Sequence, residues 1–155
     1  MTTKLSEHFT LEELVFSENA ARLGIDNIPT KEEIQHALDW LIPGIEEVRK
    51  YLGFPMFISS GFRSKALNDV TPGSSDTSQH TKFEAVDFTC PGYGSVLTVA
   101  KAIVVSPIKF DQLIYEYGSW IHISFSEYPR HKILSKHTGQ PYVAGIILPD
   151  GKRIL

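Results

Sequence analysis

Leu113-Ile114-Tyr115-Glu116-Tyr117, then Gly118-Ser119, then Trp120-Ile121-His122-Ile123-Ser124-Phe125 reads as two strands joined at a glycine, a β-hairpin. In the second arm Trp120, His122 and Ser124 alternate with Ile121, Ile123 and Phe125. Because side chains on a strand point to opposite faces in turn, one face is apolar and the histidine points the other way. A histidine so placed needs a partner. The register of the first arm depends on the turn. A strict two-residue turn sets Tyr115 opposite His122 and makes it the group nearest that side chain; a three-residue loop Tyr117-Gly118-Ser119 brings Glu116 to that side instead.

Working upstream, Glu84 to Thr89 fits a second strand, and Asn68 to Gln79 is a long loop rich in Asn, Asp, Thr, Ser, Pro and Gly. Met56 to Ser59 suits a strand that turns out at Gly61, and Val96 to Val105 a helix stopped before Pro107. Thr10 with Glu13 and Thr30 with Glu33 have capping-box spacing. The first box predicts a helix from Leu11 to about Glu18. The second predicts one whose apolar stripe runs through Ile34, Leu38, Leu41, Ile45, Val48 and Leu52, kinks at Pro43 and ends at Gly53. Downstream, the pattern weakens after Arg130, and Leu148 to Lys152 reads as a turn.

The 155 residues predict one domain, with a core of about 9–135 and a C-terminal extension of about 136–155. With 42% hydrophobic residues and 15 basic against 18 acidic side chains, the composition excludes disorder as the main theme and argues against a phosphate-backbone binder. The lone Cys90 excludes a zinc site built on several thiolates, so a metal here must use His, Asp or Glu. The opening Met1-Thr2-Thr3-Lys4-Leu5-Ser6-Glu7 lacks the apolar stretch of a secretory signal, and no segment approaches the roughly 20 apolar residues of a membrane span. The expectation is synthesis in the cytoplasm, with no membrane and no nucleic acid as partners and a monomeric state.

Of six histidines, His8, His36, His131 and His137 sit among polar neighbours or at element ends and carry no expected role. His80, Asp87 and His122 stand apart. Two flank a loop-to-strand segment and the third is the strand histidine above. Two imidazoles and a carboxylate are a set that zinc accepts, leaving a fourth position for water. From spacing alone, a core histidine satisfied by a backbone carbonyl is the commoner outcome.

Ser60-Gly61-Phe62-Arg63-Ser64, Leu67-Asn68, Ser78-Gln79-His80, Ala85-Val86-Asp87-Phe88 and Trp120-Ile121-His122-Ile123-Ser124 together resemble the zinc D-alanyl-D-alanine carboxypeptidase and L-alanyl-D-glutamate endopeptidase family. Phe9-Thr10-Leu11 and the Ala21 to Asn27 segment resemble its phage and prophage branch, so the likeness runs from about Phe9 to Ser126. It implies the hedgehog/DD-peptidase fold, an α+β domain with a small antiparallel sheet and flanking helices. It implies Zn2+ on His80, Asp87 and His122, Arg63 holding a substrate carboxylate or carbonyl oxygen, and Ser78 on the peptide. The partner implied is the stem peptide of peptidoglycan, met by an endolysin-like enzyme after phage-type release.

Two positions depart from the family pattern. Phe83 replaces a usual glycine, which predicts a narrowed or capped pocket, and Ser119 stands where many members carry an acid three residues before the last histidine. Glu116 is the expected general base in its place, with Tyr115 as a substrate contact. A non-catalytic wall-binding module that keeps zinc for structure is the rival reading, and Phe83 and Ser119 are its support.

Overall fold

The computed structural model describes residues 2–155. Six strands, β1 (Phe57–Ser60), β2 (Ala85–Thr89), β3 (Gln112–Glu116), β4 (Trp120–Ser124), β5 (Lys132–Lys136) and β6 (Val143–Ala144), form one sheet in the order β1-β2-β4-β3-β5-β6. The helices are α1 (Leu11–Val15), α2 (Glu18–Leu23), α3 (Lys31–His36), α4 (Ile42–Leu52), α5 (Lys65–Asp69) and α6 (Val96–Val104). The α+β class stands, but the sheet is mixed, because β5 pairs parallel to β3. The cause lies at Asp111. Its carboxylate takes the Arg130 guanidinium side-on, Nε and Nη2 each 2.8 Å from one oxygen, and its carbonyl accepts from Lys132 N, so the chain leaving β4 is turned back alongside β3.

The sheet sorts its side chains by face. Val86, Phe88, Leu113, Tyr115, Ile121 and Ile123 are buried in the core with Leu41, Ile45 and Val48 of the N-terminal helices and Val99, Ala100 and Ile103 of α6. Gly44 lets α4 come close: a Cβ there would lie 2.3 Å from the Phe125 ring. Across the sheet, Asp87, Ile114, Glu116, Trp120 and His122 line a groove.

Local chemistry shifts several expected boundaries. Both capping boxes form, but Ser17 Oγ accepts from Ala20 N and starts α2, which ends α1 at Val15. Before Pro43 the helix widens into a π-helical segment, Ala37–Leu41, with Ile42 N bonded to Ala37 O. The wider turn absorbs the ring and the missing donor of Pro43. No helix among the described residues is long and apolar enough to cross a membrane.

Candidate active site

Asp87 of β2 and His122 of β4 are direct register partners, so their side chains leave the same face of the sheet. His80 reaches them from the turn that precedes β2. Its Nδ1 lies 2.7 Å from Gly61 O, which makes Nδ1 the donor and leaves a lone pair on Nε2. That lone pair is 3.3 Å from Asp87 Oδ1 and 3.2 Å from His122 Nδ1, which is itself 3.1 Å from Asp87 Oδ1. The side chains are 4%, 11% and 9% exposed for His80, Asp87 and His122, so water cannot satisfy this convergence.

The trio fits a divalent cation. A proton on His122 Nδ1 leaves two acceptors, His80 Nε2 and Asp87 Oδ1, to share one donor, whereas a metal takes the lone pairs of all three atoms at once. Burial alone would raise the Asp87 pKa, but the imidazoles of His80 and His122 beside it hold it well below the usual carboxylate range. The Gly61 carbonyl orients His80 as outer partners orient metal-bound histidines. Gly61 is required there, since a Cβ would lie 2.3 Å from Leu14 O, the atom that accepts from Phe62 N.

The three-residue loop occurs. Tyr117 and Gly118 take φ of 57° and 67°, Ser119 N donates to Glu116 O, and Glu116 pairs with Trp120 while Ile114 pairs with His122. Glu116 therefore shares the face of the trio, with Oε1 3.9 Å from His122 Nδ1. Burial first, then the Asp87 charge, push its pKa up to about 7 against the pull of His122, Arg63 and Lys136. A carboxyl so tuned can take and return a proton near neutral pH. The same register puts Tyr115 on the opposite face, in the core and edge-on to His137, so the expectation that it meets substrate is corrected.

Arg63 is half-buried on the groove, and Asn68 Oδ1 receives its Nη1 at 3.0 Å. Burial lowers its pKa while Asp87, Glu116 and Tyr142 pull the other way. Among the described residues, no carboxylate lies within ion-pair distance of it, so its fork is available to a ligand. Ser78 lines the groove and its Oγ accepts from His80 N.

Phe83 is not in the groove. It is fully buried against Phe62, with ring centroids 5.3 Å apart, and adopts φ of 57°. A glycine adopts that backbone freely, and here the ring's burial offsets the cost of the left-handed conformation. The expected narrowing of the pocket is therefore corrected.

Three groups escaped the sequence reading as site residues. Asn68, buried, joins Arg63 to the loop by donating to Ser75 O, and only its place in the Leu67-Asn68 pair hinted at this. Gln79 donates to Asp111 Oδ2 at 2.7 Å and fixes the turn that carries His80. Tyr142 enters the groove from a segment without a pattern. The other ligand-type cluster, Glu7-His8-Glu46, is a structural tie, its Glu46 carboxylate being used by Ser6 Oγ, His8 N and His8 Nδ1.

A groove of about 1000 Å3 passes over the trio, lined also by Phe16, Ser75, Trp120 and Tyr142. Ligand-type side chains at the floor of a groove, with a carboxyl and a guanidinium that has no ion-pair partner beside them, are the parts that metal-assisted hydrolysis uses. Residues 7–124 match the family described as Peptidase M15, and the chain belongs to that family, whose members are zinc-dependent peptidases. No curated protein matches the chain.

Proposed function

We propose that the protein is a zinc metallopeptidase that hydrolyses an amide bond in the peptidoglycan stem peptide, as an endolysin-like enzyme. The observation that carries this reading is Glu116, half-buried on the face of the trio and held there by the hairpin register. His80, Asp87 and His122 would hold zinc, which would supply Lewis-acid polarisation and make water at the site more acidic. Glu116 takes the proton of the attacking water and returns it to the leaving amine. Arg63 holds a substrate carboxylate or carbonyl oxygen through its planar fork, and Ser78 contacts the peptide backbone.

The groove supports the internal L-alanyl-D-glutamate bond over a terminal D-alanine. A carboxypeptidase needs room for only one residue beyond the scissile bond, whereas this groove has a volume of about 1000 Å3, enough for peptide on both sides of it. The binding-only reading loses one of its two supports, since Phe83 belongs to the core. The test is digestion of purified peptidoglycan by zinc-loaded protein. Mass spectrometry of the fragments should show new L-alanine C-termini; release of free D-alanine would assign the carboxypeptidase reaction, and zinc-loaded protein that frees no amino groups would overturn the enzyme reading.

A further inference from the structure

The segment beyond residue 124 lies outside the family match, yet it completes the groove. Register places it there. Glu116 of β3 is the partner of Lys136 on β5, and in parallel strands such partners face the same side. The β5–β6 pairs Leu134 with Ala144 and Ser135 with Val143 continue to Lys136 with Tyr142. Trp120, Glu116, Lys136 and Tyr142 thus form one row across four strands, on the side of the metal-ligand trio.

Lys136 Nζ sits 5.5 Å from the Tyr142 ring centroid and donates to Gln140 O, which braces the ring from behind. Tyr142 is 54% exposed, and among the described residues its hydroxyl has no hydrogen-bond partner. Tyr142 lines the same groove as Arg63, Glu116 and Asp87, so its hydroxyl shares the space in which a ligand of those groups would sit. A phenol held by its ring, with its donor unspent, is built to meet an oxygen of a ligand in the groove.

We propose that Tyr142 is a substrate-binding residue supplied by the C-terminal segment, whose O–H donates to a carbonyl or carboxylate oxygen of the peptide that Arg63 also addresses. This rests on the peptidase reading above. Arg63 and Tyr142 then grip the peptide from two sides of Glu116, one through charge and a fork, the other through a single neutral donor.

Tyr142→Phe keeps the ring and its contact with Lys136 and removes only the donor. The probe is an N-acetylated stem peptide containing both the L-alanyl-D-glutamate and the D-alanyl-D-alanine bonds, and binding is measured by calorimetry on zinc-free protein beside turnover on zinc-loaded protein. We expect Tyr142→Phe to weaken binding and lower kcat/KM by about tenfold, the scale of one hydrogen bond, with zinc content and melting temperature unchanged. Tyr142→Ala should lose more. Equal binding by wild type and Tyr142→Phe would overturn the proposal, as would wild-type protein that does not bind the peptide. Wild type that binds but does not cut would overturn the peptidase reading alone, and the binding comparison would still decide the role of Tyr142.

Discussion

At the scale of single residues, the proposed roles of the three ligand-type side chains and of Glu116 beside them separate by substitution. His80→Ala and His122→Ala each remove one of three convergent donors, so metal analysis should show loss of zinc from both variants. Glu116→Gln keeps the shape and the hydrogen bonding but not the basicity. It should retain zinc and peptide while turnover falls by roughly a hundredfold or more, and wild-type turnover would remove Glu116 from the mechanism. His80, Asp87 and His122 were legible because a motif carries them at fixed spacing. The choice between Glu116 and Tyr115 was not, since it turns on one residue of loop length, and Phe83 misled because a positive φ leaves no mark in a sequence. Phe83→Gly relieves the backbone but empties a fully buried site, so it should cost about 3 kcal/mol in chemical denaturation, with cleavage specificity unchanged. An altered substrate range at wild-type stability would return Phe83 to the pocket.

At the scale of elements, the site depends on joints between segments. The carbonyls of Leu14 and Gly61 meet where the end of α1 touches the exit of β1, and Gly61 O in turn fixes the tautomer of His80. Gly61→Ala drives a methyl against Leu14 O and displaces that orienting carbonyl. Chelator competition should then show zinc affinity lower by about tenfold or more, the usual effect of disturbing an outer partner, while unchanged affinity would make the carbonyl contact incidental. Helices and the central hairpin were readable because capping and alternation are local signals. β5 and β6 were not: β5 is specified by a parallel neighbour twenty residues earlier in the chain, and β6 is two residues long. Helix α5 was hidden because its Asn68 and Asp69 read as loop residues, although Ser64 caps it by accepting from Leu67 N.

At the scale of the whole molecule, Asp111 is the joint that holds site and sheet together. Its buried carboxylate accepts from Arg130 N, Nε and Nη2 and from Gln79 Nε2, and Glu84 lies between Gln79 and His36 of α3, 3.4 Å from the first and 2.7 Å from the second. Burial by itself would raise the Asp111 pKa; the Arg130 and Gln79 donors outweigh it and lower the pKa below its ordinary value. A carboxyl whose folded pKa lies below its unfolded pKa binds fewer protons when folded, so its contribution is complete above about pH 4 and drains away as pH falls through the folded value. Asp111→Asn removes that contribution and leaves a half-exposed guanidinium without its partner. At pH 7 the variant should be less stable by about 2–3 kcal/mol, with zinc removed from both proteins so that metal binding does not enter the comparison. The gap should hold from pH 7 down to about 4 and close below it, because the Asp111 carboxylate is the one charge that the two proteins do not share. Denaturation series at stepped pH would read this directly. A gap that stayed constant into the acid range would mean that Asp111 serves as a hydrogen-bond acceptor whose charge contributes nothing to holding Arg130, β5 and the His80 turn in place.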